Sequence, residues 1–174
     1  TLGATSAINT DKTGTLTMNE MMVSSLYFAG NWFSVEGEGY RKSGQLRCAA
    51  GLETPDFTRL ALGLALCSDA TVSDDGTVVG DPTEAALVVL AAKIGVDAEE
   101  TRRAYPRLGE VPFDSDYKFM ATIHQVHLEG EDHLVLLVKG APDVIIARSA
   151  TVGTKMAGTP VPIAEGRQAL ADAN

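Results

Sequence analysis

The sequence predicts an α+β fold in which an antiparallel β-sheet is flanked by helices. Two observations lead there. Stretches 108–112, 119–128 and 133–139 carry β-branched and apolar residues, and the Glu129-Gly130-Glu131-Asp132 turn joins the last two into a hairpin. The first half of the chain instead holds the strongest helix signals, so helices and mostly hairpin-linked strands must share one core.

The elements follow in order. Residues 6–9 form the end of a buried strand and 10–17 the loop after it. Stretches 22–28 and 32–35 are strand-like and flank Gly30-Asn31, a good hairpin tip. The glycine-rich, polar stretch 36–45 reads as loop. Asp56 can cap a helix over 57–67, and 71–79 forms a small hairpin or loop around Asp74-Asp75-Gly76. The clearest helix has Asp81 as N-cap, Pro82 at its first position, Glu84 three residues after the cap and a stop at Gly95. It is apolar nearly all round, which predicts burial on most sides. A shorter helix covers 97–104 and ends before Pro106. Pro142 starts a helix to Arg148, 149–162 reads as loop, and 163–173 forms a last helix.

Composition narrows the function. With 174 residues, 45% hydrophobic and 21% charged, the chain has the make-up of a globular domain. Its net charge of −9 argues against a nucleic-acid partner, because that affinity comes from Lys and Arg neutralising phosphates. Cys48 and Cys67 are too few for a disulfide scaffold and read as reduced, small apolar residues. The longest apolar runs fall well short of the roughly 18 residues of a membrane span. The first residues lack a basic region followed by an apolar core, so no signal peptide is expected. The chain opens and closes in mid-pattern, as part of a longer polypeptide would, and by itself is expected to be soluble.

The sharpest chemical signal is Asp11-Lys12-Thr13-Gly14-Thr15-Leu16-Thr17, directly after apolar Ala7-Ile8. A carboxylate at the end of a parallel strand can attack a phosphoryl group and form an aspartyl phosphate. Gly14 lets the backbone turn tightly and offer N–H groups to phosphate oxygens, joined by the hydroxyls of Thr13 and Thr15. An isolated Asp-x-x-Gly would be an ordinary turn; the seven-residue run after a strand favours chemistry.

This run resembles the signature of the P-type cation-transporting ATPases, whose aspartate is phosphorylated by ATP. Three further segments resemble that family in order and spacing: Gly80-Asp81-Pro82-Thr83-Glu84-Ala85-Ala86-Leu87, Phe113-Asp114-Ser115-Asp116-Tyr117-Lys118 and Lys139-Gly140-Ala141-Pro142-Asp143. The resemblance implies that Asp11 is the phosphorylated residue and that Thr13 contacts the γ-phosphate and, with Asp11, a Mg²⁺ ion. It implies a nucleotide site made of Glu84, Phe113, Lys118, Lys139 and Gly140, with ATP as ligand. It also implies that residues 1–20 begin a phosphorylation domain of α/β type and that 21–174 form the nucleotide-binding domain, truncated at its C-terminal end. The parent would be an integral membrane pump, with this domain in the cytoplasm of a bacterium and the remaining phosphorylation, actuator and transmembrane domains as partners.

The residues by themselves allow these roles beside plainer ones. Phe113 can stack on adenine or pack in a core, and Lys139 ends an apolar strand, where its charge needs an anion or solvent. Gly140 lets a purine approach the backbone, or simply makes the Gly-Ala-Pro turn. Lys118 can meet phosphates or water. Glu84 is already explained by a capping box with Asp81, whereas the family makes it an acceptor near the adenine amino group. His124 and His127, three apart in a strand, point to opposite faces and make a poor metal pair. Trp32 reads as packing on its sheet, and Asp69, Asp74 and Asp75 as a solvated acidic loop.

Other readings are weighed against this one. Haloacid-dehalogenase-type phosphatases share the nucleophile loop but carry a second carboxylate two residues on as acid and base; here that position is Thr13. The absence of any His-Pro pair sets aside the heavy-metal pumps. The motifs look most like bacterial calcium-transporting pumps, with sodium/potassium and manganese pumps as alternatives. The expected function is ATP binding within a pump that couples ATP hydrolysis to cation transport, the fragment alone binding nucleotide without turnover. In relatives the chain beyond the last helix returns as another strand, so an open sheet edge along 133–139 is expected here.

Overall fold

The computed structural model describes residues 20–128, 130–153 and 159–173. The Asp11 and Thr13 motif, and the strand and loop expected around it, lie outside the described residues. Ten strands and five helices are described, an α+β fold as expected, with the strands in four small antiparallel sheets.

The first sheet contains β1 (Ser25–Phe28), β2 (Asn31–Val35) and β3 (Leu46–Cys48) in that order. Ala29 and Gly30, both with positive φ, make its hairpin tip, and Phe28 pairs with Asn31. β3 was not expected; it is three residues long, too short to show a period. Trp32 packs edge-on against Tyr27 across the hairpin, 5.4 Å between ring centroids. Phe28 and Phe33 both meet Phe57 edge-on, at 5.1 and 5.0 Å, and so tie this sheet to the start of α1 (Thr58–Leu66). The N-cap of α1 is Phe57, without a side-chain cap, and Asp56 just before it accepts the Thr58 N–H at 2.9 Å in place of the cap expected.

After α1 comes a small hairpin, β4 (Thr71–Val72) with β5 (Val78–Val79), as expected for 71–79. Then α2 (Pro82–Ile94) runs from the Asp81 cap to Gly95. Its end is a Schellman turn: Gly95 has φ +101°, its N–H bonds Ala92 O at 2.9 Å, and the Val96 N–H bonds Ala91 O at 3.0 Å. α3 (Ala98–Ala104) follows, capped by Asp97 through the Glu100 N–H at 2.7 Å. The core lies where α1, α2, α3 and β4 meet, and it is built from Ala61, Ala65, Ala70, Val72, Ala85, Val88, Val89, Ala91 and Ala98. Small side chains there let the helices approach closely, so modest residues still bury a continuous surface. The nearly uniform apolarity of α2 is thereby explained: Ala85, Ala86, Val88, Val89, Leu90 and Ala91 are all buried.

The largest sheet is β6 (Arg107–Asp114), β7 (Phe119–Leu128) and β8 (Glu131–Gly140), in chain order and antiparallel. Leu128 pairs with Glu131, so the hairpin turns more tightly than the four-residue turn expected. His124 on β7 is buried, with Nδ1 donating to Tyr105 O at 2.9 Å, whereas His127 is exposed and meets Asp132 at 2.9 Å. Among the described residues β8 pairs only with β7, and Leu134, Leu136 and Val138 along it are exposed. α4 (Pro142–Arg148), β9 (Thr151–Val152), β10 (Val161–Pro162) and α5 (Ile163–Asp172) complete the chain. The stretch expected to be loop thus contributes a two-residue bridge, on which α5 packs through Gly166 against Val152.

Candidate functional site

The N-terminal end of α2 and the C-terminal end of β8 meet at a cavity of about 570 Å³. It is lined by Asp81, Thr83, Glu84 and Leu87 from α2 and its cap, and by Phe113, Met120, Lys139 and Gly140 from the large sheet. That volume lies within the range usual for small-molecule sites. Four of the five residues expected to bind nucleotide therefore share one cavity, although they are spread over some 56 positions of sequence.

The α2 side is set by capping. Asp81 Oδ1 accepts the N–H groups of Thr83 at 2.8 Å and Glu84 at 3.2 Å. Slight burial opposes the Asp81 charge, but these bonds and the Lys139 charge outweigh it and hold its carboxyl below the usual range. The expected capping box is only half made. Glu84 does not turn back to Asp81; its Oε2 accepts the N–H groups of Asp69 at 2.7 Å and Ala70 at 3.1 Å. Its Oε1 takes the Lys139 ammonium at 2.5 Å. The tertiary partners win because they offer a charge and two otherwise unpaired donors, more than one backbone N–H can supply.

The sheet side supplies the cation and the ring. Met120 pairs directly with Lys139 across β7 and β8, and both lie on the face turned toward α1 and α2. Lys139 also reaches Ser68 Oγ at 3.3 Å. The two side chains of the pair are 26% and 16% exposed for Lys139 and Glu84, so the pair sits at the cavity wall, partly shielded from water. Phe113 lies within an irregularity in the pairing of β6, between Val111 and Asp114, and is 64% exposed. The ring is therefore not a core-packing residue, and one of its faces is open to the cavity. A Cβ on Gly140 would stand 2.6 Å from Phe119 Cβ and 2.8 Å from Phe119 Cα, so the glycine is required by its cross-strand neighbour. Gly140 thus has a packing reason that neither the turn nor the purine reading supplied, alongside its place in the cavity wall.

Lys118 is the residue the structure does not bring in. It occupies a left-handed position, φ +56°, at the end of the turn between β6 and β7, its side chain exposed and outside the cavity lining. Its backbone serves the site indirectly: its carbonyl accepts the Ala141 N–H at 2.9 Å, beside Gly140.

Sequence reasoning missed the segment 67–70. Asp69, read as part of a solvated acidic loop, bonds Arg107 at 2.7 Å through its carboxylate while its N–H holds Glu84. Ser68 is fully buried. The one sequence signal was a polar Ser-Asp pair directly after an apolar helix, which says nothing about the partner 15 positions on. Among the described residues no group of three or more His, Cys, Asp or Glu side chains could hold a metal, and no helix is long and apolar enough to cross a membrane.

Comparison with known proteins agrees with the motifs. The chain is 36% identical over 159 residues to a cation-transporting ATPase of Synechocystis, covering 84% of this chain and 17% of that protein. It is 40% identical over 148 residues to calcium-transporting ATPase 1 of Lactococcus lactis, covering 85% and 15%. A calcium-transporting ATPase of Listeria monocytogenes is 38% identical over 153 residues, covering 87% and 16%. The chain thus spans about a sixth of the length of these relatives. The family model for the P-type ATPase cytoplasmic domain N matches residues 56–174, well over half of the chain, and holds both walls of the cavity. By that match and these identities, the chain belongs to the P-type ATPase family, its residues 56–174 matching that family's cytoplasmic domain N.

Proposed function

We propose that the cavity between α2 and β8 binds the adenine end of ATP. The observation that carries this is an exposed aromatic ring, Phe113, facing a carboxylate–ammonium pair, Glu84 and Lys139, across a cavity of about 570 Å³. Stacking on such a ring is worth about 1–3 kcal/mol per base. Glu84 receives three donors in all, and a carboxylate offers about four lone-pair sites, so one remains on its Oε1 for an exocyclic amine. The phosphates would leave toward Lys118, at the outer end of the same wall.

In the parent protein this domain would present ATP to Asp11, with Asp11 and Thr13 holding Mg²⁺, and the aspartyl phosphate would drive cation transport. Calcium is the proposed ion, supported by two relatives named as calcium-transporting ATPases. On this reading residues 1–20 open the phosphorylation domain, 21–174 form the nucleotide-binding domain, and the remaining domains lie in the parent chain within a membrane.

Titration of the chain with ATP and ADP, by calorimetry or NMR, tests the site. Phe113→Ala is expected to weaken binding by about tenfold, the equivalent of about 1.4 kcal/mol within the stacking range. Lys139→Ala is expected to weaken it as well. If both variants bind like the parent, nucleotide does not bind in this cavity.

A further inference from the structure

Behind the cavity, two arginines converge on the segment that holds Glu84. Arg102, on α3, sends Nε to Ala65 O at 3.0 Å and Nη2 to Ser68 O and Ala70 O at 2.8 and 3.0 Å. Its Nη1 meets Glu99 Oε1 at 2.9 Å. Arg107, the first residue of β6, bonds Asp69 Oδ1 at 2.7 Å and Glu110 Oε2 at 2.6 Å through Nη1. Its Nη2 reaches Ser68 O at 3.3 Å and Leu66 O at 3.4 Å. Burial works against the Arg107 charge, but Glu110 and Asp69 outweigh it and keep its pKa above the ordinary arginine value.

The carbonyl of Ser68 and the N–H of Asp69 belong to one peptide unit. Its oxygen faces both guanidinium groups, and its N–H faces Glu84 Oε2 at 2.7 Å. A peptide plane is rigid, so fixing the direction of the carbonyl fixes the direction of the N–H. Hydrogen bonds at the two ends of such a unit also polarise and strengthen each other. Gly80 packs close to the next residue: a Cβ there would stand 2.9 Å from Ala70 Cα, so only glycine lets the end of β5 approach the segment this closely. The segment is thus held by cations on its carbonyl side and by a carboxylate on its amide side.

We propose that Arg102 and Arg107 are positioning residues for the cavity. Acting through the Ser68–Asp69 peptide, they set the orientation of the Glu84 carboxylate and, through it, the place of the Lys139 ammonium. This rests on the nucleotide reading for its consequence on binding, whereas the link from Arg102 to Glu84 belongs to the free protein. Arg102 carries the larger share, because its planar fork spans three carbonyls that a single ammonium cannot reach together.

The test compares Arg102→Lys and Arg107→Gln with the parent chain, each also in a Glu84→Gln background. In free protein, Arg102→Lys is expected to shift the Asp69 amide resonance and the Glu84 carboxyl carbon resonance and to leave the Ala29–Gly30 hairpin unmoved. ATP affinity is expected to fall about fivefold with Arg102→Lys, and less than about twofold when Glu84 is already Gln, since coupled neighbours are not additive. Arg107→Gln is expected to follow the same pattern more weakly and covers the case in which the Arg102 variant fails to fold. Unmoved Asp69 and Glu84 resonances, or equal affinity losses in both backgrounds, would overturn the positioning role and leave the arginines as fold-holding groups only. If parent binding proves independent of Phe113 and Lys139, the nucleotide reading fails by itself, and the free-protein resonances alone decide the coupling.

Discussion

Replacing Glu84 by alanine removes one acceptor group from three donors: the Asp69 N–H, the Ala70 N–H and the Lys139 ammonium. The cost can be worked from their surroundings. Ala70 is fully buried, so its orphaned N–H finds no water and costs about 1–2 kcal/mol. Asp69 is exposed, so water can take over its N–H at little cost. The ion pair, 26% and 16% exposed, lies between the about 0–1 kcal/mol of surface pairs and the about 3–5 kcal/mol of breaking fully buried ones. A value of about 1–2 kcal/mol is reasonable for it, and the total is about 2–4 kcal/mol. For a chain of this length that lowers Tm by about 5–15 °C. Glu84→Gln keeps an oxygen for the two N–H groups but loses the charge opposite Lys139, so it should fall between parent and alanine. Urea unfolding followed by circular dichroism measures the order parent, Gln, Ala. A Glu84→Ala variant within about 0.5 kcal/mol of the parent, the scatter of ordinary surface changes, would refute the bonding scheme drawn around this carboxylate.

Three further outcomes are expected. Gly80→Ala adds a Cβ 2.9 Å from Ala70 Cα at φ +113°, and should destabilise by about 2–4 kcal/mol in a thermal melt, strain and overpacking combined. Gly51→Ala, at φ +71° with nothing within 4 Å, should cost only about 1 kcal/mol and serves as its control. Burial raises the Cys67 thiol above its usual pKa, so a thiol reagent at neutral pH should label half-buried Cys48 first and Cys67 only on unfolding. Asp75 accepts from Ser73 Oγ and the Thr77 N–H, which hold its carboxyl down at about 2 against an ordinary 3.8. Its ionised form therefore contributes stability that is fully present above about pH 4 and is lost as pH falls toward 2; carboxyl NMR should show the low midpoint in the parent and a rise in Ser73→Ala.

Local chemistry made much of this protein readable from its sequence. The Asp81 cap, Pro82 and the Gly95 stop delimit α2 by short-range hydrogen bonds and fixed backbone preferences, and the structure has that helix between those residues. The β1–β2 hairpin, whose tip falls on Ala29-Gly30 one residue before the expected Gly30-Asn31, the helix over 97–104 and the strands of the large sheet were legible for the same reason. The family was legible too, because its motifs are contiguous runs. β3 and the β9–β10 bridge were not, since two or three residues carry no period and are made strands only by the partner that meets them.

The site divides along the same line. Which residue types the cavity uses could be read from the motifs, but not that Glu84 would leave its cap for Asp69, Ala70 and Lys139. That choice depends on where β8 ends relative to α2, a distance of 55 positions along the chain closed only by the packed core. Lys118 could not be placed from its motif alone: it stands in a left-handed turn, φ +56°, outside the cavity lining, on the side toward which the phosphates are proposed to leave. Sequence alone determined the helices, the longer strands, the motifs and the family, because those depend on neighbours in the chain. The tertiary structure decided which donor meets which acceptor, because a buried polar group takes the best partner that packing brings within about 3 Å, however far away it lies in sequence.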